Sequence, residues 1–169
     1  MDKDIIIKLF EKKEYKAIKS IFDTMNPVDT ATLLPEFDEK EMVLLFRLIP
    51  KENAAMVFTY LEADSQQVLL EAFSDKELKH IMDEMFIDDA VDFLEEVPAN
   101  VVTRVLAHTN PETRNLINKF LKYPDNSAGS IMTIEMASFP ESYTVSRAIS
   151  ELRKTALDKE TIYTCYCTD

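Results

Sequence analysis

Glycine is nearly absent from this chain, with Gly129 the only one among 169 residues. Hairpin turns draw on positions that tolerate positive φ, and a chain with so few of them cannot be built mainly from tight β-meanders. Helix becomes the default. Long apolar runs are missing as well: no stretch of about 18 consecutive apolar residues occurs, the length that a membrane-spanning helix requires. The start, Met1-Asp2-Lys3-Asp4, lacks the basic segment and apolar core of a secretory signal. A soluble, cytosolic segment is expected. Cysteine is confined to Cys165 and Cys167. Two positions apart on a strand they share one face, too close in sequence for an ordinary structural disulfide. With His80 and His108 far away, two small strand residues are a better reading than a Cys-x-Cys metal site. Basic residues are outnumbered, 19 Lys and Arg against 31 Asp and Glu, for a formal charge of −12. Such a field repels phosphate backbones and anionic lipid and attracts cations, so nucleic acid is not expected as a partner.

Hydrophobic residues at 46% and charged residues at 30% mark a folded protein rather than a disordered acidic tail. From Pro27 to Phe120 the chain divides into four similar pieces, 27–49, 50–73, 74–97 and 98–120, each about two short helices long. Three begin with proline, which suits a first helical turn because the N–H it lacks would be unpaired there. The other begins Ser74-Asp75-Lys76-Glu77, a capping box. A second start signal stands midway through each piece: Asp38 with Glu41, Asp64 with Gln67, Asp88 ahead of Asp89-Ala90-Val91, and Asn110 before Pro111. Apolar residues follow helical spacing between these signals, as in Leu78, Ile81, Met82 and Met85 or Val101, Val102, Val105 and Leu106. Helices this short do not hold themselves in water, but stacked pairs bury each apolar stripe against the next. The expected architecture is mainly α, a right-handed superhelical stack of short helix pairs, like an α-solenoid. Residues 5–10 and 15–25 read as two further helices that cap the stack.

After Lys122 the periodicity stops. Residues 123–130 have loop chemistry, with Pro124, Asn126 and Gly129. Beyond them Ile131 to Phe139 reads as extended, Thr144 to Ala156 as an amphipathic helix, and Thr161 to Thr168 as an alternating strand. This is a β-α-β start with too little material to close a sheet of its own.

The run from Tyr123 to Glu135, with Ser127-Ala128-Gly129 and Met132-Thr133 inside it, is followed by Thr144-Val145 and by Asp158 to Tyr163. It resembles the passage from the helical N domain of MgtE magnesium transporters into their first cystathionine-β-synthase (CBS) motif. The preceding repeat, with Leu48 to Pro50 and Ile87 to Ala90 as landmarks, is similar to that N domain. The resemblance implies an N domain over 1–122, a linker over 123–130 and an incomplete first CBS motif over 131–169. It further implies a dimeric integral membrane protein in which this part lies on the cytoplasmic face of the plasma membrane. The partners would be a CBS pair and a pore domain of the same transporter. In such proteins the acidic N domain and the CBS pair come together when Mg²⁺ is plentiful, and a plug helix then closes the pore.

Asp88 and Asp92 lie four apart at the start of a predicted helix, so their carboxylates share one face, about 5–6 Å between Cβ atoms. The residues alone allow two readings: solvated acids at the positive end of a helix, with Asp88 as its N-cap, or a pair converging on a divalent ion. The resemblance favours the second and implies Mg²⁺ at Asp88 and Asp92, with Asp89 a helix-end residue and Glu95 and Glu96 contributing only field. Two departures stand out. Met56 occupies a place where some members have a metal-facing acid, and Thr164 stands where an aromatic would help hold an adenine ring, so the resemblance does not extend to nucleotide binding. Catalysis is not expected: His80 and His108 lack a nearby nucleophile or zinc spacing, and no glycine-rich phosphate loop is present. The remaining alternative is a helical-repeat adaptor, since flagellar motor-switch proteins bind partners with a comparable stack.

Overall fold

The computed structural model describes residues 3–169. Ten of its eleven α-helices precede Lys122. After α1 (Lys3–Glu11) and α2 (Tyr15–Phe22) come α3 (Pro27–Leu33) with α4 (Glu39–Phe46), α5 (Lys51–Thr59) with α6 (Ala63–Ala72), α7 (Asp75–Glu84) with α8 (Ile87–Glu96), and α9 (Ala99–His108) with α10 (Pro111–Phe120). Each sequence piece thus contains two helices.

The start signals account for about half of these boundaries. Asn26 caps α3 through Val28 N–H at 2.9 Å, with Pro27 in the first turn, and Asp38 caps α4 through Glu41 N–H at 2.9 Å. Ser74 and Glu77 form the capping box of α7, Glu77 Oε2 accepting from Ser74 N–H at 2.8 Å. Other signals are displaced. Pro50 and Pro98 sit just ahead of their helices rather than within them. Asp64 lies inside the first turn of α6, whose N-cap position is Glu62. Asp88 likewise lies inside α8, not at its N-cap, and α2 ends at Phe22, short of Met25.

By contacts the chain forms two units that alternate along the sequence: one runs up to Met85 and includes Glu96–Pro111, the other joins Phe86–Glu95 to Glu112–Asp169. In the first, α3 packs on α5, α5 on α7, α7 on α9, and α4 on α6. Along these runs a helix finds the next but one, the nearest-neighbour stacking of a solenoid. The buried side chains are those on the apolar stripes, including Ile18, Leu34, Leu45, Leu69, Leu78 and Val105. Phe46, Phe58 and Phe73 form a ring cluster with centroids 5.4–6.5 Å apart.

Two arginines close the C-terminus of α6, where the last carbonyls have no intrahelical donor. Arg47 Nη2 donates to the Ala72 carbonyl at 3.0 Å, while its Nε meets Glu77 at 2.8 Å. Arg104 donates to the carbonyls of Leu70 at 3.0 Å and Phe73 at 2.6 Å, and to Asp75 at 3.1 Å.

The second unit holds α8, nearly all of α10, and a β-α-β segment made of β1 (Met136–Pro140), α11 (Val145–Thr155) and β2 (Thr161–Thr168). The strands are parallel, with Ala137 opposite Cys165 and Phe139 opposite Cys167. A helical crossover is the connection that parallel strands require. Thr144 caps α11 through Arg147 N–H at 3.3 Å. Both cysteines are free and exposed. In the loop before β1 the positive φ falls on Asn126 rather than on glycine. Gly129 instead serves close approach, because a Cβ there would lie 2.5 Å from the ring of Tyr123, which packs edge-on against Phe120. Among the described residues no helix is long and apolar enough to cross a membrane.

Candidate metal centre

Helix α8 buries Ile87, Ala90, Val91, Phe93 and Leu94. That stripe turns its acids the other way: Asp88 and Asp89 are half-buried, while Asp92, Glu95 and Glu96 are exposed. The negative charge of the first turn suits the positive end of the helix dipole.

The fold adds acids that sequence spacing does not suggest. Glu135, just ahead of β1, and Glu160, just ahead of β2, come to the head of α8, and Glu160 N–H donates to the Glu135 carbonyl at 3.2 Å. Burial first, then the charge of Glu160 and more weakly of Glu135, holds the Asp88 carboxyl above its usual range, against the opposing pull of the N–H groups of Asp88 and Asp89. Asp89 is drawn in as well. Burial, then Asp88, Glu160, Asp92 and Glu135, push its carboxyl up to about 6. Five carboxylates thus share one field. Oδ1 of Asp88 is buried and has no hydrogen-bond partner.

This donor set is all oxygen, which suits a hard divalent cation. It is not a cage: among the described residues no three His, Cys, Asp or Glu side chains converge to hold a metal. Mg²⁺ does not need one, since it keeps several waters and binds through one or two carboxylates. A half-buried, unpartnered Asp88 oxygen with Asp92 on the same helix face fits that demand. Asp88 is the acid of this pair with an orphan oxygen, and Asp92 the one open to solvent. The signal for Glu135 and Glu160 was faint: each stands just before a strand of a parallel pair, and pairing brings such residues to the same end.

The Asp89 shift has a signed consequence. A carboxyl held at about 6 in the fold, above its ordinary 3.8, binds more protons folded than unfolded between those limits, so stability falls as pH rises through that window. For a buried group the difference would be worth about 3 kcal/mol, and solvent screening at a half-exposed carboxylate reduces it to about 1 kcal/mol. In EDTA, urea unfolding at pH 4.5 and 7.0 is expected to show Asp89→Asn stabilising the protein at pH 7.0 by about 1 kcal/mol and by less at pH 4.5. An equal effect at both values would refute the shift.

Elsewhere, Met56 is exposed on α5 and brings no charge, and Thr164 is exposed on β2. Nε2 of His108 lies 3.5 Å from Asp75, the acid that also pairs with Arg104. Nε2 of His80 is buried without a partner and lines a crevice between Phe46, Phe73 and Ile81.

The family model of the MgtE intracellular N domain matches residues 25–126. The chain is 28% identical over 163 residues to the magnesium transporter MgtE of Thermus thermophilus, and 26% identical over 161 residues to that of Bacillus subtilis. These alignments cover 94% and 95% of this chain but 36% of each relative, so the chain spans about a third of their length. Among solved structures it is similar to the cytosolic domain of the Mg²⁺ channel MgtE in complex with ATP, with a TM-score of 0.81, 28% identity, and coverage of 96% of this chain and 66% of that one. The soluble part of a magnesium transporter matches with a TM-score of 0.90 over 99% of this chain and 66% of that one, at 24% identity, a likeness of fold.

Proposed function

This chain belongs to the MgtE intracellular N domain family, and from that premise we propose that it is the Mg²⁺-sensing regulatory part of a magnesium transporter, with Asp88 and Asp92 taking the ion. It is read as a regulator that catalyses nothing. The single observation behind the proposal is the crowded acidic head of α8, where Asp88, Asp89, Asp92, Glu135 and Glu160 repel one another and Asp88 Oδ1 has no donor.

Two unit charges about 6 Å apart repel by roughly 0.7 kcal/mol in water-like surroundings. That is small for one pair and grows as a second acidic surface approaches. A divalent ion removes the repulsion, and it shifts an equilibrium between open and closed arrangements only by its preference for the closed one. In this reading residues 1–122 are the sensing domain, 123–130 the linker and 131–169 the opening of a first CBS motif. The full protein would be a homodimer at the plasma membrane, with this part on its cytoplasmic face and its CBS pair and pore domain as partners. ATP, bound by one structural relative, is left out of the proposal because Thr164 offers no ring face to an adenine. The similarities also favour this reading over a flagellar-type adaptor.

The test uses a longer protein that continues through both CBS motifs, followed by X-ray scattering as Mg²⁺ is added. The parent is expected to compact at millimolar Mg²⁺, and Asp88→Ala/Asp92→Ala to need at least tenfold more while keeping its helicity. Equal compaction in parent and variant would remove these two residues from the mechanism.

A further inference from the structure

Helix α8 has no side-chain acceptor at its own N-cap, although the Asp88 carboxylate takes the N–H groups of Asp88 and Asp89. Ala90 N–H makes the first intrahelical bond, to the carbonyl of Phe86 at 3.0 Å, which puts a phenylalanine at the N-cap, where side-chain oxygens normally accept from the exposed N–H groups. The acceptor comes instead from far along the chain: Glu135 Oε1 takes the N–H of Ile87 at 3.1 Å. Glu135 is itself fastened. Thr133 Oγ1 donates to its Oε2 at 3.2 Å and accepts from its N–H at 3.2 Å, while its carbonyl receives Glu160 N–H at 3.2 Å.

We infer that Glu135 is a positioning residue of the ion site, a cap delivered from the β1 side that fixes the first turn of α8 and with it the direction in which Asp88 presents its carboxylate. The inference rests on the reading of Asp88 and Asp92 as the ion-binding pair. A carboxylate at the positive end of a ten-residue helix makes a charge-assisted hydrogen bond in its best setting. The same charge also repels Asp88 and Asp89. Glu135 therefore does two opposed things, holding the helix head by acceptance and crowding it by charge. Because Glu135 immediately precedes β1, the tie also makes the head of α8 and the start of the β-α-β segment one mechanical piece.

The two roles separate by substitution in the 169-residue chain. Glu135→Gln keeps an acceptor and loses the charge, whereas Glu135→Ala loses both. With Mg²⁺ followed through the backbone amide shifts of residues 87–92, Glu135→Gln is expected to bind within about threefold of the parent and Glu135→Ala at least tenfold more weakly. Without Mg²⁺, the Ile87 amide should exchange with deuterium at the parent rate in Glu135→Gln and at least tenfold faster in Glu135→Ala. If both variants bound equally weakly, Glu135 would be an ion ligand, and if both bound like the parent it would have no part. Either result overturns the inference while leaving Asp88 and Asp92 in place. A parent that shows no saturable Mg²⁺ shift would instead defeat the ion-site reading itself. Should Glu135→Ala lose its helicity, Thr133→Val takes its place, removing the hydroxyl that orients Glu135. Weaker Mg²⁺ binding with faster Ile87 exchange is then expected, and parental values for both overturn the inference.

Discussion

Phe58→Ala is expected to lower the unfolding free energy by about 4 kcal/mol, within the range found when a buried phenylalanine is truncated. The side chain is 1% exposed and faces Phe46 edge-on at 6.5 Å and Phe73 at 6.1 Å. These neighbours come from the end of α4 and the residue after α6, so closing the space would mean shifting two helices at once, and most of the cavity should persist. Each ring pair adds roughly 0.5–1.5 kcal/mol beyond area burial. The Phe58 carbonyl, moreover, receives Nε2 of buried Gln66 at 2.9 Å, so slippage of α5 would leave a polar group unpaired inside. Urea unfolding followed by far-UV circular dichroism measures the loss. A cost under about 2 kcal/mol would mean that the cluster relaxes freely and is not the close-packed centre of the stack.

Arg104→Ala should cost about 2 kcal/mol, the scale of a hydrogen-bonded charge removed from its acceptors. One guanidinium serves two carbonyls at the end of α6 and the carboxylate of Asp75 at the start of α7. Its planar fork matters as much as its charge, so Arg104→Lys should recover only about half of the loss. Most of the effect should survive 0.5 M NaCl, because the carbonyl bonds are not an ion pair screened by salt. Lys154, paired on the surface with Glu151 at 3.0 Å, provides the contrast. Its alanine variant should change stability by less than about 0.5 kcal/mol.

The helix pairs were legible because every signal for them is local. Apolar spacing, Pro27, Asp38 and the Ser74–Glu77 box lie within a turn of what they control, and the structure puts Pro27 in the first turn of α3 and realises the caps of α4 and α7. The misplaced starts at Asp64 and Asp88 fail for a related reason, since an acid is as favourable inside the first turn of a helix as at its cap, and spacing alone does not separate the two. Glu135 was visible as a residue of the junction run but not as the cap of α8, because 48 residues separate it from Ile87. Glu160 reaches the same place only through the parallel pairing of β1 and β2. The arginine closures of α6 were hidden in the same way, their acceptors lying 25 to 34 residues off. Asp89 read as a plain helix-end acid because its perturbation begins with burial, which a lone helix does not reveal.

At position 129 a hydrogen atom is the whole side chain, and the ring of Tyr123 fills the room this leaves. The backbone there follows an ordinary path, so what the position supplies is a clearance and not a rotation. Even alanine would have to evict a tyrosine from its seat on Phe120. A chain that dispenses with glycine everywhere else should therefore tolerate no replacement here, and a deep mutational scan would single out this one site in a loop otherwise open to drift.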